Sequence, residues 1–140
     1  MNDLPPGVAA FQIVATLHQA QDLLEAAVAP LGLSLAKLGV LSRLADAGEP
    51  LPLRTLAERC ACVRSNITQL VDRLEADKLV VRADDPHDRR SIRAELTARG
   101  RARHAEGVKA IQEAERELLA RLPAGKRQAL LELLGCLREG

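Results

Sequence analysis

Aromatic side chains are almost missing from this sequence: there is no Trp, no Tyr and a single Phe, Phe11, in 140 residues. With 47% hydrophobic residues all the same, the core has to be built from Leu, Val, Ile and Ala, which predicts a mainly α protein. The scarcity also leaves little to stack on a flat ligand, so any small-molecule pocket is expected to be aliphatic and polar. Cysteine is sparse as well. Cys60, Cys62 and Cys136 form neither a CxxC pair nor an even disulfide set, which suits a reducing compartment. Cys-x-Cys with no neighbouring His or acidic cluster is a poor zinc pattern, so no metal is expected. There is no nucleophile and base pairing, no Gly-rich phosphate loop and no metal motif, which argues against an enzyme and against a cofactor. No apolar run approaches the ~18 residues of a membrane span, and the N-terminus lacks a basic start followed by an apolar stretch. A soluble, cytoplasmic protein with no membrane partner is expected. The length suits one domain with a real core.

A strong charge of one sign is also absent, the net being +1, but its distribution is uneven. Residues 1–53 carry two bases against five acids, residues 54–103 twelve against eight, and residues 104–140 six against six. The positive charge is concentrated in the middle of the chain, as on a phosphate-binding surface, although an ordinary solvated face carries such an excess too.

Helical spacing runs through residues 8–29, with Phe11, Val14, Leu17, Leu24 and Val28 on one side, until Pro30 and Gly32 stop it. Ser34 then caps a helix to about Ala47, ended by Gly48. Pro50-Leu51-Pro52 reads as an extended connector or a minimal strand. A short helix over Leu53 to Cys60, the turn Ala61-Cys62-Val63 and a helix over 64–77 have the lengths of a helix-turn-helix. Leu79 to Arg82 and Ser91 to Leu96 read as strands, the second placing Ile92, Ala94 and Leu96 on its inner face. The eight polar residues between them are a hairpin turn, a wing. Thr97 caps a long helix to about Leu122, broken by Pro123, and residues 124–138 form a last amphipathic helix with Leu130, Leu131, Leu133, Leu134 and Leu137. That helix holds more leucine than one neighbour needs, so the first and last helices are expected to form a subunit interface, the alternative being packing within one chain.

The strings LAERCACVRSNITQLVDRLEADKLVVR and DDPHDRRSIRAELTARG, with this order of elements, resemble the MarR family of bacterial transcription regulators. The second is similar to the family's wing pattern, carried here by Asp88, Arg90, Leu96, Thr97 and Gly100. The resemblance implies a winged helix-turn-helix over about 34–97 and a helical dimerisation region from 1–33 and 98–140. It implies an obligate homodimer on a pseudo-palindromic double-stranded operator, repressing transcription until a small-molecule effector or cysteine oxidation releases the DNA. One departure is Val63, where the family often has a capping Ser or Thr. Either the cap moves to Ser65 or the first turn stays uncapped until phosphate binds.

On the 64–77 helix, Ile67, Leu70, Val71 and Leu74 face the core, leaving Arg64, Ser65, Asn66, Thr68, Gln69, Asp72 and Arg73 outside. Asn and Gln pair bidentately with adenine, Ser and Thr reach several base edges, and Arg64 and Arg73 suit guanine or phosphate. A merely solvated helix face usually carries more Glu and Lys. In the wing, Arg89 and Arg90 are expected to reach phosphates or a narrow minor groove, with Asp88 holding an arginine in position. The DNA-binding set is therefore Arg64, Ser65, Asn66, Thr68, Gln69, Arg73, Asp88, Arg89 and Arg90, while no ligand-binding residue can be named. His87 reads as turn filler, and His18 and His104 as exposed helix residues. Two alternatives stay open: a redox-sensing repressor using Cys60 and Cys62, and a winged-helix protein-interaction module without DNA binding.

Overall fold

The computed structural model describes residues 5–60 and 64–138, with residues 64 and 65 as helical backbone. Helix α1 (Val8–Val28) runs into a 3-10 turn, Ala29–Leu31, and leaves it through Gly32 at φ 72°. Helix α2 (Leu35–Ala47) begins on Ser34, whose Oγ accepts from the Lys37 amide at 3.1 Å, while Glu25 of α1 accepts from the Leu35 amide at 3.1 Å. Two donors that a helix start leaves orphaned are thus satisfied, one of them from the preceding helix. Gly48, at φ 66°, ends α2.

Strand β1 (Leu51–Pro52), helix α3 (Leu53–Arg59) and helix α4 (Arg64–Ala76) follow. The turn expected at Ala61–Val63, with Cys62 and the question of a cap at Val63, lies outside the described residues. Strands β2 (Val80–Asp85) and β3 (Asp88–Leu96) pair antiparallel, and β1 joins the far edge of β3 in the order β1-β3-β2. The hairpin is longer than its apolar pattern suggests. The ladder pairs Asp84 with Ile92 and continues through an irregularity to Asp85 and Asp88, so the eight-residue turn shrinks to Pro86 and His87. Main-chain pairing needs no apolar side chain, and the acidic residues simply extend the ladder into solvent.

The core lies between α2, α4 and the sheet, where Leu41, Leu44, Ile67, Val71, Leu74 and Val80 are buried in one cluster. The α4–β2 connection closes as a Schellman motif: the Leu79 amide donates to the Leu74 carbonyl at 2.9 Å and that of Lys78 to Glu75 at 2.9 Å. Lys78 holds the left-handed position at φ 63°, where glycine is usual.

Helix α5 (Ala98–Leu119) starts on Thr97. The Thr97 hydroxyl accepts from the Gly100 amide at 2.9 Å and donates to the Lys78 carbonyl at 2.7 Å. A Cβ on Gly100 would overlap the Leu79 carbonyl oxygen, and one on Gly107 would come 2.7 Å from a Leu38 methyl. These two glycines let α5 lie directly on the lobe. The helix ends at Leu119 rather than Leu122, because turn residues fill the approach to Pro123, which disfavours helical backbone before it. Helix α6 (Arg127–Arg138) likewise starts later than 124, after Gly125 at φ 77°.

Where α5 crosses the α1–α2 corner, the Arg103 guanidinium donates to the Leu31 carbonyl, and His104 Nε2 lies 3.1 Å from Ser42 Oγ. His104 is therefore half-buried and bonded rather than exposed, whereas His18 is exposed. The far ends of the helical part differ from the lobe. Phe11 is 78% exposed and Leu17 62% on α1, Leu133 65% and Leu137 68% on α6.

Candidate nucleic-acid interface

Helix α4 is held by its inner stripe. Ile67, Val71 and Leu74 are fully buried and Leu70 partly so, which leaves Asn66, Thr68, Gln69, Asp72 and Arg73 exposed, as the spacing predicts. Arg64 and Ser65 belong to the same helix, and their side chains lie outside the described residues. A helix with side chains is ~10–12 Å across, the width of the B-DNA major groove. The outer face offers it amides, a hydroxyl and a guanidinium.

The wing stands beside this face. Its tip is organised by two carboxylates: Asp85 accepts from the His87 amide at 2.9 Å and Asp88 from the Arg90 amide at 3.0 Å. Asp88, expected to hold an arginine by a charged hydrogen bond, is in no ion pair among the described residues. Its oxygen accepts from the Arg90 main chain two residues on, a local turn geometry available to any Asp there. Asp88 shapes the wing, and Arg89 and Arg90 project from it exposed.

Between α3, α4 and the wing runs a groove of about 560 Å³, with Leu53, Arg54, Thr68, Arg82, Arg90 and Ile92 among its lining residues. Ile92, expected to pack inward, is 44% exposed. It has the inner-face register, but the lobe's core ends before reaching it and its neighbour there is this groove. Two basic lining residues, Arg54 and Arg82, are not in the sequence-derived set. Arg54 carries no signal beyond its charge. Arg82 does carry one, since alternation from buried Val80 places it on the inner face of β2.

The electrostatics of this surface divide sharply. Arg82 is consumed by ion pairs with Asp72 and Glu75. Arg54, Arg73, Arg89 and Arg90 are in no ion pair among the described residues, although acidic side chains are abundant nearby. Unpaired guanidinia beside exposed amides, on a helix and hairpin that present them together, are suited to phosphate and base-edge contacts.

Cys60 is half-buried at the end of α3 and packs against the core, and Cys136 is exposed on α6. Among the described residues no group of three His, Cys, Asp or Glu is placed to hold a metal ion. No single described helix is long and apolar enough to cross a membrane.

Comparison with known proteins agrees with this geometry. A model of the MarR family matches residues 31–91. An HTH-type transcriptional repressor of Mycobacterium tuberculosis is 30% identical over 137 residues, which cover 96% of each chain. The homoprotocatechuate degradative operon repressor of Escherichia coli is 35% identical over 79 residues, 56% of this chain and about half (53%) of that one. Among solved structures, a mutant of Escherichia coli MarR complexed with operator DNA superposes with a TM-score of 0.82 at 23% identity, over 93% of this chain and 94% of that one. At that identity the likeness is one of fold.

Proposed function

Because this chain belongs to the MarR family of transcription regulators, we propose that it is a sequence-specific repressor of the bacterial cytoplasm, binding double-stranded operator DNA as a homodimer. The observation that carries this reading is the unpaired set Arg73, Arg89 and Arg90 beside exposed Asn66 and Gln69. Helix α4 enters the major groove with Asn66, Thr68, Gln69 and Arg73, and with Arg64 and Ser65 at its start. The wing lays Arg89 and Arg90 along the backbone or minor groove, held in shape by Asp88. The unit that does this is residues 34–97. The helices outside it, from 1–33 and 98–140, join two copies, so the operator is an inverted repeat with half-sites about one helical turn (~10 bp) apart.

A small organic effector releases the DNA. A site between the dimerising helices and the lobe can bias the distance between two recognition helices, which is the quantity an operator measures.

The test is fluorescence anisotropy with labelled duplex from the intergenic region beside the protein's own coding sequence. The chain has no Trp to serve as a probe. The full repeat should bind far more tightly than either half-site, and equal affinity would overturn the dimeric reading. Arg90→Ala should weaken binding to every sequence and reduce the log–log salt slope by about 0.9 for one lost phosphate contact. Gln69→Ala should instead lower specific affinity by about 1–3 kcal/mol with the slope unchanged.

A further inference from the structure

Arg82 stands on the inner face of β2, opposite Ala94 and two residues from buried Val80. An inward position in a strand normally takes an apolar residue. Here a guanidinium fills it, with the side chain only 23% exposed. Its Nη2 lies 2.5 Å from Asp72 Oδ1 and donates to the Thr68 carbonyl at 3.4 Å. Its Nη1 donates to Glu75 Oε1 at 3.2 Å, and its main-chain amide donates to Glu75 Oε2 at 3.0 Å. Thr68, Asp72 and Glu75 follow one another at i, i+4 and i+7, so one side chain of the wing grips two turns of α4 along a single stripe. The adjacent stripe, Asn66, Gln69 and Arg73, is the one assigned to base edges.

We propose that Arg82 is a positioning residue for sequence reading: it fixes the rotation of α4 relative to the wing and neutralises the carboxylates of Asp72 and Glu75 beside the DNA. The inference rests on the DNA-binding reading above and adds how its specificity is set. A planar guanidinium satisfied by two carboxylates and a carbonyl holds one orientation, whereas a lysine ammonium on a flexible stem does not impose it. Two carboxylates left unpaired on a helix entering a polyanion would oppose binding. Because Arg82 is committed to these acids, its charge does not serve as a phosphate contact.

The experiment measures affinity for the intergenic duplex and for a random duplex of equal length, at one salt concentration, in four proteins. These are the parent, Arg82→Lys, Arg82→Gln and the pair Asp72→Asn with Glu75→Gln. Arg82→Gln should lose roughly tenfold or more on the intergenic duplex and less on the random one. Arg82→Lys should recover the random-duplex affinity but not the ratio of the two, because charge returns without orientation. The Asp72→Asn, Glu75→Gln pair keeps the Arg82 stem in place and frees its guanidinium. It should bind random DNA more tightly and discriminate less, a result independent of whether Arg82→Gln folds fully. An unchanged ratio in Arg82→Lys and in the carboxylate pair would overturn the proposal. A parent that does not distinguish the two duplexes would instead remove the sequence-reading function itself, and the inference with it.

Discussion

The winged lobe and the ends of the helical part use similar side chains in opposite ways. In the lobe Leu41, Leu56, Leu74 and Val80 are withdrawn from water almost completely. Along the first half of α1 and the whole of α6, Phe11, Leu17, Leu133 and Leu137 remain more than half exposed. Apolar surface of that extent, gathered on the first and last helices, is characteristic of a subunit interface rather than of a monomer's scattered surface leucines. The lobe closes its own core, whereas the helical ends leave apolar surface open, which a second copy closes in the dimer proposed above.

The sharpest way to break this contrast is to charge the side that a single chain leaves open. Leu134 and Leu137 are exposed in one protomer, so Leu134→Asp with Leu137→Asp should cost an isolated chain little. Across an interface the same pair buries unpaired charge, and sedimentation should show loss of the dimer, with operator binding lost alongside it. A variant that stays dimeric and bound would place the interface elsewhere.

The complementary substitution is inside the lobe. Leu41 is fully buried in α2, and Leu41→Ala should cost about 2–5 kcal/mol of unfolding free energy by creating a cavity. That loss should be the same at every protein concentration in denaturant titrations, whereas destabilisation from the helical ends should grow on dilution. Equal concentration dependence for both would erase the distinction.

The smallest expected effect lies inside the lobe, at the turn that fastens α5 to it. Lys78 holds a left-handed backbone at φ 63° in the turn that follows α4. Lys78→Gly should relieve that strain, offset in part by the freer unfolded chain, and raise stability by up to about 1 kcal/mol in thermal melts. A decrease would mean that the Lys78 side chain contributes more than its backbone costs.

Helix boundaries set by local chemistry are legible in the sequence. Ser34, Gly48 and Thr97 act within a few residues of themselves, and each occupies the capping position its type suggests. The inner stripe of α4 is legible for the same reason, periodicity being local. The strands of the wing outrun their apolar pattern because the ladder continues through Asp84, Asp85 and Asp88, residues that alternation does not mark as strand. Charge pairs Asp88 with a guanidinium on paper, yet its nearest available donor is the main chain two residues on. The grip of Arg82 on α4 and the His104–Ser42 contact are not legible, since each joins elements whose approach is decided only by the packed fold. The sequence marks Arg82 as a strand residue but not what faces it.

Thr97 and Gly100 knot three elements at one point: the end of α4, the start of β2 and the start of α5. From that knot α5 extends for 22 residues, roughly 33 Å at 1.5 Å per residue. It is a lever with its short end fastened to the reading head. A tilt of only about 5° along such a length displaces the far end by roughly 3 Å, nearly one base-pair step of B-DNA. The gearing also runs the other way. Whatever fixes the distal ends of two such levers against each other sets, to within about a base pair, the distance that the two heads can span.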